Sequence, residues 1–95
     1  MIKVEIKKGR SQDGAVILAV MEDVYGHSPW KLEQIEADIE QASSTYFLAL
    51  DDGQVLGFIA IQETLYEAEV LQIAVKRAFQ GQGLAQQLLA QLPDQ

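Results

Sequence analysis

Two apolar runs separated by a short acidic turn constrain this chain more than anything else in it. Tyr46-Phe47-Leu48-Ala49-Leu50 is followed by Asp51-Asp52-Gly53, and then by Val55-Leu56-Gly57-Phe58-Ile59-Ala60-Ile61. Aromatic, leucine and β-branched side chains suit pleated strands, and an Asp-Gly pair between two such runs is a hairpin signal. Neither run alternates with polar residues, so both faces of the hairpin need cover, which helices are expected to supply. Gly57, inside the second run, implies either a bulge or close packing from a neighbouring element.

The flanking segments supply the cover. Ile2, Val4 and Ile6 alternate with Lys3, Glu5 and Lys7, the period of a half-buried first strand. Ile17, Val20, Met21 and Val24 recur at helical spacing, which predicts a helix over Ala15–Tyr25 that Ser11 or Asp13 caps and Gly26 stops. Ser28-Pro29 then reads as a cap and first helical position for a shorter helix with Leu32, Ile35 and Ile39 inside. A fourth strand is expected over Ala68–Val75. A final helix is expected from about Gly83 to Leu92, with Leu84, Leu88, Leu89 and Leu92 as its inner face and Pro93 ending it. The order is β-α-α-β-β-β-α, an α/β (α+β) fold in one domain over residues 1–95.

Composition removes several classes of function. A formal charge of −7 opposes general nucleic-acid binding, which needs Lys and Arg on phosphates. With no cysteine and one histidine, thiolate and histidine metal sites are not expected. No apolar run approaches the ~18 residues of a membrane span, and the N-terminus does not read as a signal peptide. A soluble, cytoplasmic protein with no membrane or nucleic-acid partner is the expectation.

Chemistry is concentrated in Val75–Leu89, where Gly81 and Gly83 lie between a strand and a helix. Such a turn exposes backbone N–H groups at the positive end of a helix dipole, and glycine lets a phosphate approach closely. Lys76 and Arg77 stand ready to meet further phosphates. The spacing fits neither a P-loop nor the dinucleotide fingerprint, since no Gly-Lys-Ser/Thr follows and Gln86 occupies the third-glycine position. By spacing alone, a purely structural turn and a phosphate cradle are both open.

Gln80-Gly81-Gln82-Gly83-Leu84-Ala85 matches the pattern [Q/R]-x-x-G-x-[G/A], and with the order of elements it resembles the GNAT superfamily of N-acetyltransferases. His27-Ser28-Pro29-Trp30 and the run from Leu71 to Ala85 look most like the ribosomal-protein-alanine acetyltransferase group. The resemblance implies a mixed, mostly antiparallel sheet and an acetyl-CoA co-substrate with no metal. It places the pyrophosphate on Gly81, Gln82, Gly83, Leu84, Ala85 and Gln86, and pairs the pantetheine arm with Ile73, Ala74 and Val75.

The acceptor it implies is a primary amine, in this group a protein N-terminal α-amine. Glu69 matches the general base of the histone-acetyltransferase branch, or is a solvent-facing residue of a strand entry. Tyr25, Trp30 and Tyr66 are candidates to line the acceptor site, although Trp30 at a helix start is more often a core anchor and His27 reads as a solvated loop residue. Family members continue with a further strand, a helix carrying a catalytic tyrosine and a closing hairpin. By that measure this chain is the N-terminal portion of the fold, with an open fourth-strand edge that invites a homodimer. Two rival readings follow: a non-catalytic CoA-binding or regulatory module, and a self-associating fragment with no turnover of its own.

Overall fold

A computed structural model describes residues 4–93. Four strands form one antiparallel sheet in sequence order: β1 (Glu5–Lys8), β2 (Ser44–Asp51), β3 (Gln54–Glu63) and β4 (Ala68–Val75). Helices α1 (Gly14–Tyr25) and α2 (Leu32–Ile39) connect β1 to β2, and α3 (Leu84–Leu89) follows β4. Ile2 and Lys3, expected in the first strand, lie outside the described residues.

The hairpin forms where its sequence demands. Asp51 pairs with Gln54, leaving Asp52 and Gly53 as the loop with φ of 51° and 79°. Positive φ at both central residues is the turn whose twist matches two antiparallel strands.

The apolar strands are sandwiched. On one face Ile17, Val20 and Met21 of α1 and Ile35 of α2 pack on Tyr46, Leu48, Leu50, Phe58, Ala60 and Ala74. On the other, Leu84 and Leu88 of α3 pack on Ala49, Leu56, Ile59, Ile61 and Val75. A polar anchor joins α2 to β2: the Tyr46 hydroxyl donates to Asp38 Oδ2 at 2.6 Å and the Ser44 hydroxyl to Asp38 Oδ1 at 2.9 Å. Burial, then the hydrogen bond to Asp38 and its charge, raise the Tyr46 pKa well above its usual value of 10.0.

Tyr46→Phe is therefore expected to cost about 1.5–3 kcal/mol, the range for a hydrogen bond to a charged group. A folded-state pKa above the unfolded one contributes stability below pH 10, lost as pH rises further. Urea unfolding at pH 8 and above pH 10 checks both: wild type loses more stability over that interval than the phenylalanine variant.

Two bulges set the phase of the strands. Ala49 pairs with Gly57 and Leu50 with Val55, so Leu56 is the extra residue in β3. Ala60 pairs with Gln72 and Ile61 with Val70, so Leu71 is the extra residue in β4. Gly57 combines the two roles expected of it as alternatives: it adjoins the bulge, and a Cβ there would stand 2.7 Å from the Ala74 carbonyl oxygen.

Several local expectations are corrected. Asp13 precedes α1 but does not cap it, because its carboxylate accepts from the Arg10 N–H (2.8 Å) and lies 3.7 Å from Lys7 Nζ; a 3-10 turn at Ser11–Asp13 leads into the helix instead. Ser28 and Pro29 do not start α2. The Ser28 hydroxyl is engaged with the N–H and C=O of Trp30, and the helix begins at Leu32 with the Lys31 N–H held by Gln34 Oε1. The final helix ends at Leu89, where 3.0 Å bonds from Gln91 N–H to Leu88 and from Leu92 N–H to Leu89 tighten the chain into turns. Leu89, the helical neighbour of buried Leu88 and about 100° round the axis from it, is exposed, while Leu92 packs on the α3-side core.

Candidate functional site

The end of β4 and the start of α3 form the two walls of a cleft of about 510 Å³. Ile73, Ala74, Val75, Phe79, Gln80, Gly81, Gly83, Leu84, Ala85 and Gln86 line it. The cleft opens along β4 because β4 ends the sheet, with β3 its one strand neighbour among the described residues.

Backbone phase decides what that edge offers. The Lys76 N–H donates to the Leu56 carbonyl at 2.9 Å, closing the β3–β4 ladder. The Val75 carbonyl faces the other way and accepts from Gln80 Nε2, also at 2.9 Å. By the alternation of antiparallel pairing, Ile73 turns its N–H and C=O to the same outer edge as Val75.

The loop is shaped by its glycines. Gly81 and Gly83 take φ of 79° and 82°, a region L side chains enter only with strain. A Cβ on Gly81 would meet no atom within 4 Å, so the space beside it is open. Gly83 occupies the N-cap position of α3 without a side-chain cap, and the N–H groups of Leu84, Ala85 and Gln86 have no acceptor within the helix. The lining carries no charged side chain. An anion placed there would meet backbone dipoles.

The expected site residues divide among three places. Ile73, Ala74, Val75, Gly81, Gly83, Leu84, Ala85 and Gln86 share the cleft, whereas Gln82 is not among its lining residues. Tyr25 and Trp30 lie on the α1–α2 face of the sheet. The Tyr25 hydroxyl accepts from Gln72 Nε2 at 2.6 Å, and Trp30 packs against the core while lining a separate cavity. Tyr66 is 92% exposed at the tip of the β3–β4 loop. Glu69 is exposed near the start of β4, four residues before Ile73, or roughly 13 Å at strand rise.

Arg77 and Lys76 do not line the cleft. Arg77 is tied to the end of α1, its N–H donating to Asp23 Oδ2 at 2.8 Å and its guanidinium to the Val24 carbonyl at 3.3 Å. Two lining residues, Phe79 and Gln80, had no assigned role. Gln80 opens the glycine motif, and its bond to Val75 fastens the loop to the strand. Phe79, the aromatic just ahead of that motif, packs on the α3-side core.

Among the described residues no group of three His, Cys, Asp or Glu is placed to hold a metal, and no helix is long and apolar enough to cross a membrane.

A helix-covered antiparallel sheet with a cleft between its last strand and a glycine turn is the fold of the N-acetyltransferases. The ribosomal-protein-S18-alanine N-acetyltransferase of Escherichia coli superposes with a TM-score of 0.82 at 23% identity, over 93% of this chain and 56% of that one. The ribosomal-protein-alanine N-acetyltransferase of Brucella melitensis biovar Abortus 2308 gives 0.75 at 16% identity, over 93% and 67%. An aminoglycoside acetyltransferase from an uncultured soil metagenomic sample gives 0.73 at 20% identity, over 92% and 65%. The chain thus spans little more than half the length of the E. coli enzyme. No curated protein sequence matches it. The sequence model of the acetyltransferase (GNAT) family matches residues 15–95, and the chain belongs to that family.

Proposed function

We propose that this chain carries the acetyl-CoA site of an N-acetyltransferase that acylates a primary amine. The observation that carries the reading is the meeting, in one cleft, of the outward backbone edge of Ile73 and Val75 with the glycine turn at Gly81–Gln86. The two walls fit the two polar parts of acetyl-CoA. The amide-bearing pantetheine arm would pair with the β4 edge as an added strand, and the pyrophosphate would rest on the loop's N–H groups. This division explains why the cleft needs no charged side chain.

When bound, the thioester supplies the acetyl group, its C–S bond breaking as the acceptor's N–C bond forms. The chain's own residues bind and orient: β4 fixes the arm, and Gln80 holds the loop against the strand. Glu69 is the proposed base, acting through water from its exposed position near the start of β4. The proposed acceptor is a protein N-terminal α-amine, on the likeness to the two ribosomal-protein-alanine enzymes, with Tyr25, Trp30 and Tyr66 on its approach. Isothermal titration tests the cofactor reading. Acetyl-CoA is expected to bind, and acetyl-pantetheine, lacking the pyrophosphate, to bind at least about tenfold more weakly for loss of charge-assisted hydrogen bonds. Equal affinities would remove the loop from the site.

A second reading draws on the same edge. Unpaired strand edges template association, so two copies are expected to pair along β4 into a homodimer. Acetyl-CoA and a second copy would then compete for the same N–H and C=O groups of Ile73 and Val75. Sedimentation should show a dimer that acetyl-CoA converts to monomer; a dimer indifferent to the ligand would place the contact elsewhere.

A further inference from the structure

A second cavity, of about 220 Å³, lies on the α1–α2 face of the sheet and is lined by Trp30, Gln34, Asp38, Tyr46 and Leu71. We propose that it is a binding site for a primary ammonium group on an aliphatic chain, held by the Asp38 carboxylate against Trp30 and Leu71. Its role as the anchor for the acceptor's cationic end rests on the acetyltransferase reading above; the binding itself does not.

The carboxylate is held in place from behind. Tyr46 is 1% exposed and Ser44 6%, and each donates to a different oxygen of Asp38, at 2.6 and 2.9 Å. Each oxygen keeps a further lone pair for an incoming donor. Among the described residues no lysine or arginine pairs with Asp38, so no described cation answers its charge. Because the Tyr46 hydroxyl stays protonated, it remains a donor and adds no second negative charge.

The other walls complete the selection. An indole beside a carboxylate favours a cation, since the ring's π face and the anion attract the same charge. Leu71 supplies the apolar wall for an alkyl chain. It reaches this cavity because of the β4 bulge: strict alternation would have put it on the α3 side with Ile73 and Val75. The Gln34 side chain is fixed by accepting the Lys31 N–H at 2.8 Å, so the cavity carries one charge and few moving parts. Leu71 stands two residues before Ile73 in β4. Along β4 that is roughly 7 Å of strand rise from the cofactor cleft, with the cavity on the opposite face of the sheet, so an acceptor anchored here must reach past the β4 edge.

Trp30 is the only tryptophan of the chain, so its fluorescence reports on this cavity directly. The test is titration of the whole chain with n-butylammonium, with uncharged n-butanol as the matched probe, at constant ionic strength. Saturable change is expected with n-butylammonium and not with n-butanol. Asp38→Asn, which keeps a side chain of the same shape, should weaken binding at least about tenfold. Gln34→Glu keeps the bond to Lys31 and adds a charge, and should tighten binding about threefold.

No saturable response, equal response to n-butanol, or a folded Asp38→Asn with wild-type affinity would each overturn the proposal. If Asp38→Asn does not fold, Gln34→Glu decides, and unchanged affinity there overturns it. Acetyl-CoA titration of the same samples separates the two readings. Acetyl-CoA binding without ammonium binding sinks this site alone, and ammonium binding without acetyl-CoA binding sinks the cofactor reading alone.

Discussion

Replacing Gly57 by valine is expected to destabilise the fold by about 3 kcal/mol or more. The added Cβ would sit 2.7 Å from the Ala74 carbonyl oxygen and 3.1 Å from the Val75 Cα. Both are backbone atoms of the neighbouring strand, so relief requires β3 and β4 to separate rather than a side chain to swing away. Ala74 and Val75 also line the cleft, so whatever structure survives should bind acetyl-CoA poorly. Gly53→Ala is the control. Unlike Gly57 it is at positive φ, 79°, but its Cβ would touch nothing within 4 Å, and about 1 kcal/mol of backbone strain is expected. Urea midpoints for the two variants, at unchanged slope, check the contrast; similar losses would mean that the close contact is not what Gly57 provides.

Gly81→Glu is expected to weaken acetyl-CoA binding roughly a hundredfold, about 2.7 kcal/mol, with far less effect on stability. The cleft has no charged lining, so a carboxylate there would be the first charge a pyrophosphate meets, and it has the wrong sign. Space is not the difficulty, because a Cβ at this position meets no atom within 4 Å. Backbone strain at φ 79° is common to any replacement, and Gly81→Ala isolates it. Calorimetry should place alanine between wild type and glutamate. If alanine and glutamate lose affinity equally, strain accounts for the loss and the charge argument fails.

The parts of the fold written in adjacent residues were legible in the sequence. Asp52-Gly53 specifies its turn through φ, and the unbroken apolar runs around it specify a sheet covered on both faces. β4 was legible to its ends, and so was the stop of α1 at Gly26, whose N–H closes on the Glu22 carbonyl at 2.9 Å. Capping residues were less informative, because Ser28 and Asp13 have several nearby backbone partners and the sequence does not say which prevails. The length of α3 was overestimated for a related reason: four leucines suggest three turns, but tight i→i+3 bonds end the helix at Leu89.

What depends on distant residues was not legible. Arg77 looked free to meet phosphate until Asp23 and Val24, more than fifty positions earlier, claimed it. The β4 bulge cannot be read from Ala-Glu-Val-Leu-Gln-Ile-Ala-Val, since it exists only in register with β3. For the same reason the cavity around Asp38 left no trace as a motif: its five lining residues come from α2 and the loop before it, β2 and β4. The cleft at the end of β4 was legible as a cluster because its residues fall within fourteen consecutive positions, Ile73 to Gln86.

The central claim is that the β4 edge and the glycine turn hold one ligand together. It is tested most directly by following backbone amide shifts of the 15N-labelled chain during titration with acetyl-CoA. The largest changes should fall in two groups, Ile73–Val75 and Gly81–Gln86, and should saturate together with one affinity. Changes confined to one group, groups saturating at different concentrations, or an unperturbed spectrum at millimolar acetyl-CoA would contradict it.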